Sequence, residues 1–247
     1  SFTECWQRFC QGSDAVRRLV IVGLGTIGFG MADIVLEPYG GEVLGLSVSA
    51  TTKLTALLAF GGLMGFAFAW FRMARGGHAY RVTQLGTVLG VPAFGLVVVA
   101  APLGMPSLFL LGNLMIGFSG ALFWHGTLTA TMSLAPKDQA GLALGAWGAV
   151  QATAAGVAMS LSGILRDAVQ YMVEGSAPVL GIATAATGYM AVYAVEIALL
   201  LITIAATFPL LRRVADGQRS DTRAAGEVAH AEMAIAHPAK HGGDSHR

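Results

Sequence analysis

The sequence predicts an all-α membrane protein, a bundle of six transmembrane helices, and three observations carry that prediction. The stretch from Val82 to Pro136 contains no Asp, Glu, Lys or Arg. A soluble domain cannot solvate such a run, whereas a bilayer can, at about 20 apolar residues per spanning helix. Apolar residues make up 55% of the chain and charged residues 12%, against about 25% charged in soluble domains; the mean hydropathy is +0.65. Glycine accounts for 33 of 247 residues, nearly twice its usual share of about 7%, and small residues let membrane helices approach closely.

Six spans fit this pattern in order. The first covers about 16–36, between Arg17-Arg18 and Glu37. The second covers about 52–71 and ends at Arg72. The third, about 82–101, and the fourth, about 107–134, share the uncharged run and are separated by Ala101-Pro-Leu-Gly-Met-Pro106. The fifth, about 141–165, lies between the Pro136-Lys-Asp-Gln139 turn and Arg166-Asp167. The sixth covers about 188–211. Each is near bilayer length, with room for tilt in the longer ones. The domain plan is a connecting segment over 1–15, a six-helix membrane unit over 16–214 and a polar tail over 215–247, expected to be disordered because it lacks apolar periodicity. The chain starts at Ser1 inside what reads as a connecting segment, so a piece of a longer protein is expected.

Six spans put both termini on one side. Arg8, Arg17, Arg18, Arg72, Arg75, Arg81, Lys137, Arg212, Arg213, Arg219 and Arg223 fall there, against only Lys53 and Arg166 opposite. The excess of basic residues makes that side cytoplasmic. Net charge is +1, which offers no electrostatic case for nucleic acid. Cys5 and Cys10 have no metal-ligand spacing and read as ordinary thiols. His230, His237, His241 and His246 match no metal site either.

Gly23, Gly25 and Gly28 form a G-x-G-x-x-G after the strand-like Leu19-Val-Ile-Val22, with Glu42 near the position of a ribose-binding acid. The context excludes a dinucleotide fold, because near-uniformly apolar spans follow in place of alternating strands and amphipathic helices. These glycines suit a helix-packing face. On the fifth span Gly145 and Gly148, with Trp147 and Gln151, predict a second packed, partly polar face.

A few polar residues could carry chemistry. Asp33 and Glu37, at i and i+4, share a face near one end of the first span; Glu42 follows in a Tyr39-Gly-Gly turn, and Lys53 begins the second span opposite. Together they read as a polar gate, proton or headgroup site, or as a solvated helix end with a surface ion pair. His125, flanked by Phe123 and Trp124, lies nine residues from Leu134, roughly 14 Å deep at about 1.5 Å per residue. It reads as a metal ligand, including for the magnesium of a chlorin with Trp124 packed on the ring, or as a histidine bonded to a neighbouring helix. Glu196 is a lone acid within the sixth span, a second candidate ligand or a protonated acid bonded to backbone. There is no nucleophile–base pair and no metal cluster, so no enzyme activity and no metal site are expected.

Three segments go further. Asp33-Ile-Val-Leu-Glu-Pro-Tyr-Gly-Gly-Glu-Val-Leu-Gly45 with Ala50-Thr-Thr-Lys-Leu-Thr-Ala56, His125-Gly-Thr-Leu-Thr-Ala-Thr-Met132, and Ala135-Pro-Lys-Asp-Gln-Ala-Gly-Leu-Ala-Leu-Gly-Ala-Trp-Gly-Ala-Val-Gln151 resemble the PucC/LhaA family of the major facilitator superfamily. The His-Gly form at 125–126 is nearer the LhaA branch, which serves light-harvesting 1. The resemblance covers about 17–213. It implies the C-terminal half of a twelve-helix facilitator fold and hence a missing N-terminal six-helix half as partner. It also implies a role in assembling light-harvesting antennae of phototrophic bacteria, in the cytoplasmic or intracytoplasmic photosynthetic membrane. Bacteriochlorophyll, held non-covalently, is the only cofactor or cargo it brings, with antenna polypeptides and membrane lipid as further partners. Two other functions stay open: a proton-coupled small-molecule transporter using Asp33, Glu37 or Glu196, and a protein-binding scaffold without pigment.

Overall fold

The computed structural model describes residues 15–135, 140–173 and 184–236; Cys5, Cys10, His237, His241 and His246 lie outside them. The described residues form seven helices and no strand. They are α1 (Ala15–Gly30), α2 (Ala32–Glu42), α3 (Val48–Ala74), α4 (Ala79–Ala100), α5 (Pro106–Leu134), α6 (Ala140–Val173) and α7 (Thr184–Ala236). Six stretches are long and apolar enough to cross a bilayer: Ala15–Glu42, Val48–Ala74, Ala79–Ala100, Pro106–Ser133, Ala140–Val173 and Ala186–Arg213. The protein is a multi-pass helical membrane bundle.

Local chemistry sets the ends of the elements. The Ser47 side chain caps α3 by accepting from the Ala50 N–H, which satisfies one of the donors a helix start leaves free. Gly76, at φ 79°, lets the chain turn out of α3 while Gly77 N–H bonds the Arg72 carbonyl at 3.0 Å, the usual glycine-terminated end. Gly104, at φ 59°, does the same in the turn between α4 and α5, and Pro106 opens α5 at its first turn, where a missing N–H costs nothing.

The first span differs from the sequence expectation. Its helix does not end at 36 but runs through Pro38 to Glu42, so the expected Tyr39–Glu42 turn is helical. Pro38 removes only the N–H that would pair with the Ile34 carbonyl. The helix is interrupted earlier, at Met31, which separates α1 from α2 and whose carbonyl accepts from the Ser162 hydroxyl of α6 at 2.7 Å.

α5 is the central element, packed against α1, α3, α4 and α6. Its approach to α3 is backbone on backbone. A Cβ at Gly61 would collide with the Leu114 carbonyl, and one at Gly117 with the Leu58 carbonyl. Asn113 Nδ2 donates across the same crossing to the Leu54 carbonyl at 2.7 Å. On the other side of α5, Gly86 of α4 lies against the Ser119 carbonyl, where an added Cβ would sit at 2.6 Å. Phe29, Phe94 and Phe123 fill the middle, with Phe29 centred 6.2 Å from Phe94 and 5.7 Å from Phe123.

The glycines of the first span meet three different neighbours. Gly25 lies under the Phe123 ring, Gly28 against Leu199 and Leu200, and Gly23 would bring a Cβ to 3.5 Å from Val150. The second predicted packing face is corrected. Nothing lies within 4 Å of a Cβ built at Gly145 or Gly148; α6 packs instead through Ala143, Ala146, Ala154, Ala158 and Ser162. Those residues lie on the opposite side of the helix from Gly145, and alanine supports close approach as glycine does. Trp147 and Gln151 are half-buried, and the Trp147 indole N–H donates to Thr127 Oγ1 at 3.3 Å.

The chain divides into two units, Ser1–Thr207, which holds the packed bundle, and Phe208–Arg247. In the second, the Arg212 guanidinium lies 4.5 Å over the Phe208 ring. The helix continues to Ala236, where the sequence reading placed a disordered tail from 215. Seven of the 22 residues over 215–236 are alanine, so intrinsic helix propensity stands in for an apolar face.

Candidate functional site

A cavity of about 340 Å³ opens between the first span, α3 and α5. Phe29 and Asp33 border it from the first span, Thr55, Leu58, Leu63 and Phe66 from α3, and Ile116, Ala121 and Trp124 from α5. The periodicity explains the set. Phe29 and Asp33 are one helical turn apart, as are Leu58 and Gly62, or Ala121 and Trp124, so each helix contributes one stripe. Among the described residues, Asp33 is the only ionisable group bordering it. The Trp124 indole nitrogen is buried and has no hydrogen-bond partner among the described residues. The Phe29 and Trp124 rings stand 6.3 Å apart. The site is therefore an apolar, aromatic-lined slot with one carboxylate and one uncommitted indole donor. Volume and lining are those of small-molecule sites in general, about 300–1,000 Å³ and mostly apolar.

The sequence-predicted residues are distributed around this slot unevenly. Trp124 and Asp33 border it. His125, the next residue along α5, is turned away from the wall; half-buried, it meets the edge of the Phe66 ring at a centroid distance of 6.0 Å. Because Phe66 itself borders the slot, His125 sits one ring beyond it. Glu196 lies on the opposite side of the first span. Gly28 and Ala32 face α7, whereas Phe29 and Asp33 face the slot, so Glu196 and Trp124 do not share a site.

The predicted gate of Asp33, Glu37, Glu42 and Lys53 is not one cluster. Glu37 Oε1 accepts from the Thr55 hydroxyl at 2.6 Å. Lys53 is exposed and forms no ion pair with the three acids. Two residues apart on a helix point in nearly opposite directions, so Thr55 facing α2 turns Lys53 away. Glu42 is rotated from Glu37 and joins a group that the sequence did not reveal. Arg166 of α6 donates to Glu42 Oε2 at 2.8 Å and to the Tyr189 hydroxyl oxygen at 2.8 Å. Tyr189 of α7 donates to Glu42 Oε2 at 2.6 Å. The Arg166 guanidinium also lies 4.7 Å from the Tyr189 ring centre and bonds Asp167 at 2.9 Å. This network ties the first, fifth and sixth spans together at one end. Its signal in the sequence was Arg166, which lies inside an apolar helix where a cation needs a partner.

With the geometry described, the comparisons with known proteins add the family. The sequence profile described as PUCC protein matches residues 1–215. The chain belongs to this family. Among curated relatives, the PUCC-family chain is 49% identical over 218 residues to Protein PucC of Cereibacter sphaeroides, covering 88% of this chain and 46% of that protein. It is 53% identical over 170 residues to Protein PucC of Rhodovulum sulfidophilum, covering 69% and 37%. It is 43% identical over 213 residues, covering 86% and 44%, to a Rhodobacter capsulatus protein described as an uncharacterized protein in the puhA-bchM intergenic region. The chain thus spans less than half the length of these relatives. No solved structure matches.

Proposed function

We propose that this PUCC-family chain is the C-terminal six-helix half of an assembly factor for bacterial light-harvesting antennae, and that it holds or hands over bacteriochlorophyll in the photosynthetic membrane. The observation that carries the proposal is the slot between the first span, α3 and α5, with its aromatic walls and a single carboxylate. A chlorin offers a flat apolar ring, carbonyl acceptors and a hard magnesium ion. Phe29, Trp124 and Phe66 present ring surface, the Trp124 N–H is a donor without an acceptor, and Asp33 supplies the oxygen that magnesium prefers. The ring and its tail exceed about 340 Å³, so the ligand would extend over the exposed apolar side chains of α3, Phe60, Leu63 and Met64 among them. His125 is the alternative ligand, reached by a shift of Phe66. This is binding and positioning, with no covalent step and no catalytic role for the chain.

The missing N-terminal half is the natural cover of the open slot, and both ends of this chain are assigned to the cytoplasmic side on the distribution of arginine and lysine. A scaffold that binds antenna helices without pigment is the second reading. It is favoured by the run of exposed apolar residues on α3, where Phe60, Leu63, Phe68, Trp70 and Phe71 stand clear of the bundle; patches of this kind mark contact surfaces or lipid.

The test is the absorption spectrum of the gently solubilised full-length protein, with Asp33→Asn, Trp124→Ala and His125→Leu beside the wild type. Pigment co-purifying with the wild type and lost on Asp33→Asn or Trp124→Ala supports the slot. Pigment lost only with His125→Leu moves the ligand to the neighbouring face. A colourless wild type that still carries antenna subunits leaves the scaffold.

A further inference from the structure

Glu196 is the one carboxylate among the described residues that is wholly enclosed, at 0% exposure, and neither of its oxygens reaches a hydrogen-bond partner. It stands at the interruption of the first span. The Ala32 N–H, the first of α2, faces the carboxyl, one residue after Met31, whose carbonyl accepts from the Ser162 hydroxyl.

The groups around it are of one kind. From α2 come Asp33, within electrostatic reach, and Tyr39, one remove away. From α7 itself come Tyr193 and, farther along the same face, Tyr189. From α6 comes the neutral Ser162 hydroxyl, and from α4 the Phe94 ring, 6.4 Å from Tyr193. No cation is among them. Tyr193 is likewise at 0% exposure with a hydroxyl that has no partner. A bare carboxylate here would be a buried charge without a counter-ion, beside a second acid, and such a charge is expelled, paired or neutralised.

We infer that Glu196 is a proton-binding site built into the interruption of the first span. The neutral acid fits the apolar enclosure. The carboxylate requires the Ala32 N–H and the free end of α2 to close on it, so gain or loss of one proton shifts the two parts of the first span relative to each other. One O–H bond forms on uptake and the same bond breaks on release; nothing else is transferred. Tyr189, Tyr193 and Glu196 follow at i, i+4 and i+7, which places one polar stripe between the partly exposed Glu42–Arg166 pair and the buried acid. The inference does not require pigment, because Glu196 lies across the first span from the slot and Asp33 alone is common to both surroundings.

The experiment is infrared difference spectroscopy on the full-length protein in lipid, at pH values on both sides of neutrality. A carboxylic-acid C=O band that moves in heavy water, disappears in Glu196→Gln and survives in Asp33→Asn is the expected result. A band that persists in Glu196→Gln, or no such band in the wild type, overturns the inference. Should Glu196→Gln fail to accumulate, a lipid-soluble carbodiimide, which reacts with protonated carboxyls in apolar surroundings, decides on the wild type. An adduct mapped to Glu196 that declines as pH rises supports the site, and an unmodified Glu196 refutes it.

Discussion

Removing Arg166 should loosen the end of the bundle where three spans meet, by a coupling that can be bounded from the contacts. Its guanidinium makes two hydrogen bonds outside its own helix, to Glu42 and to the Tyr189 hydroxyl, and covers the Tyr189 ring. The Glu42 and Arg166 side chains are 53% and 30% exposed, so the ion pair alone contributes about 0.2–1 kcal/mol. An interhelical hydrogen bond in a membrane protein averages about 0.6 kcal/mol, and a partly exposed cation–π contact adds about 0.5–1 kcal/mol. Arg166→Ala should therefore cost about 1–2.5 kcal/mol of bundle stability. Part of the loss is shared, because Tyr189 keeps its own bond to Glu42. The assay is reversible denaturant unfolding of the full-length protein in mixed micelles, as a double-mutant cycle of Arg166→Ala with Glu42→Gln. A coupling of about 0.5–1.5 kcal/mol is expected. Additive single changes, or an Arg166→Ala variant as stable as the wild type, would refute the network as a tie between spans.

Three further outcomes follow from the packing. Gly117→Val should destabilise the bundle by at least the 1–3 kcal/mol, roughly, of ordinary overpacking, because its side chain meets the Leu58 carbonyl; unchanged thermal stability in detergent would contradict the α3–α5 crossing. Gly145→Ala has open space around it and should stabilise α6 by up to about 1 kcal/mol through helix propensity, read in the same melt. Asn113→Leu should cost about 0.6 kcal/mol, the average for an interhelical membrane hydrogen bond, by removing the side-chain donor to the Leu54 carbonyl. Its check is denaturant unfolding beside Leu54→Met, which keeps the carbonyl and should be nearly neutral.

Composition and apolar run length are enough to settle the solvent and the number of spans. Apolar runs of bilayer length can be satisfied only by helices in lipid, since every backbone group must bond within its own segment. The proline- and glycine-containing break at Ala101–Pro106 and the charged Lys137-Asp138 pair mark boundaries in the sequence. The glycine-rich fingerprint at Gly23, Gly25 and Gly28 was separable from a nucleotide site for the same reason. What the sequence could not determine was which face of each helix meets which neighbour. Near-uniformly apolar helices carry little moment to orient them, so closeness in sequence groups Asp33, Glu37, Glu42 and Lys53, whereas helix rotation leaves Asp33 and Glu37 near the slot, takes Glu42 to Arg166 and turns Lys53 outward. Close approach in this bundle also depends on which backbone lies opposite. Gly61 and Gly117 meet carbonyls while Gly145 and Gly148 meet nothing, and no spacing rule separates the two pairs. Only the tertiary structure brings Arg166 to Glu42 and Tyr189 and places Trp124 in the slot. It also sets Glu196 against the interrupted helix, because contacts between spans far apart in the chain depend on the packing angles and rotations of whole helices.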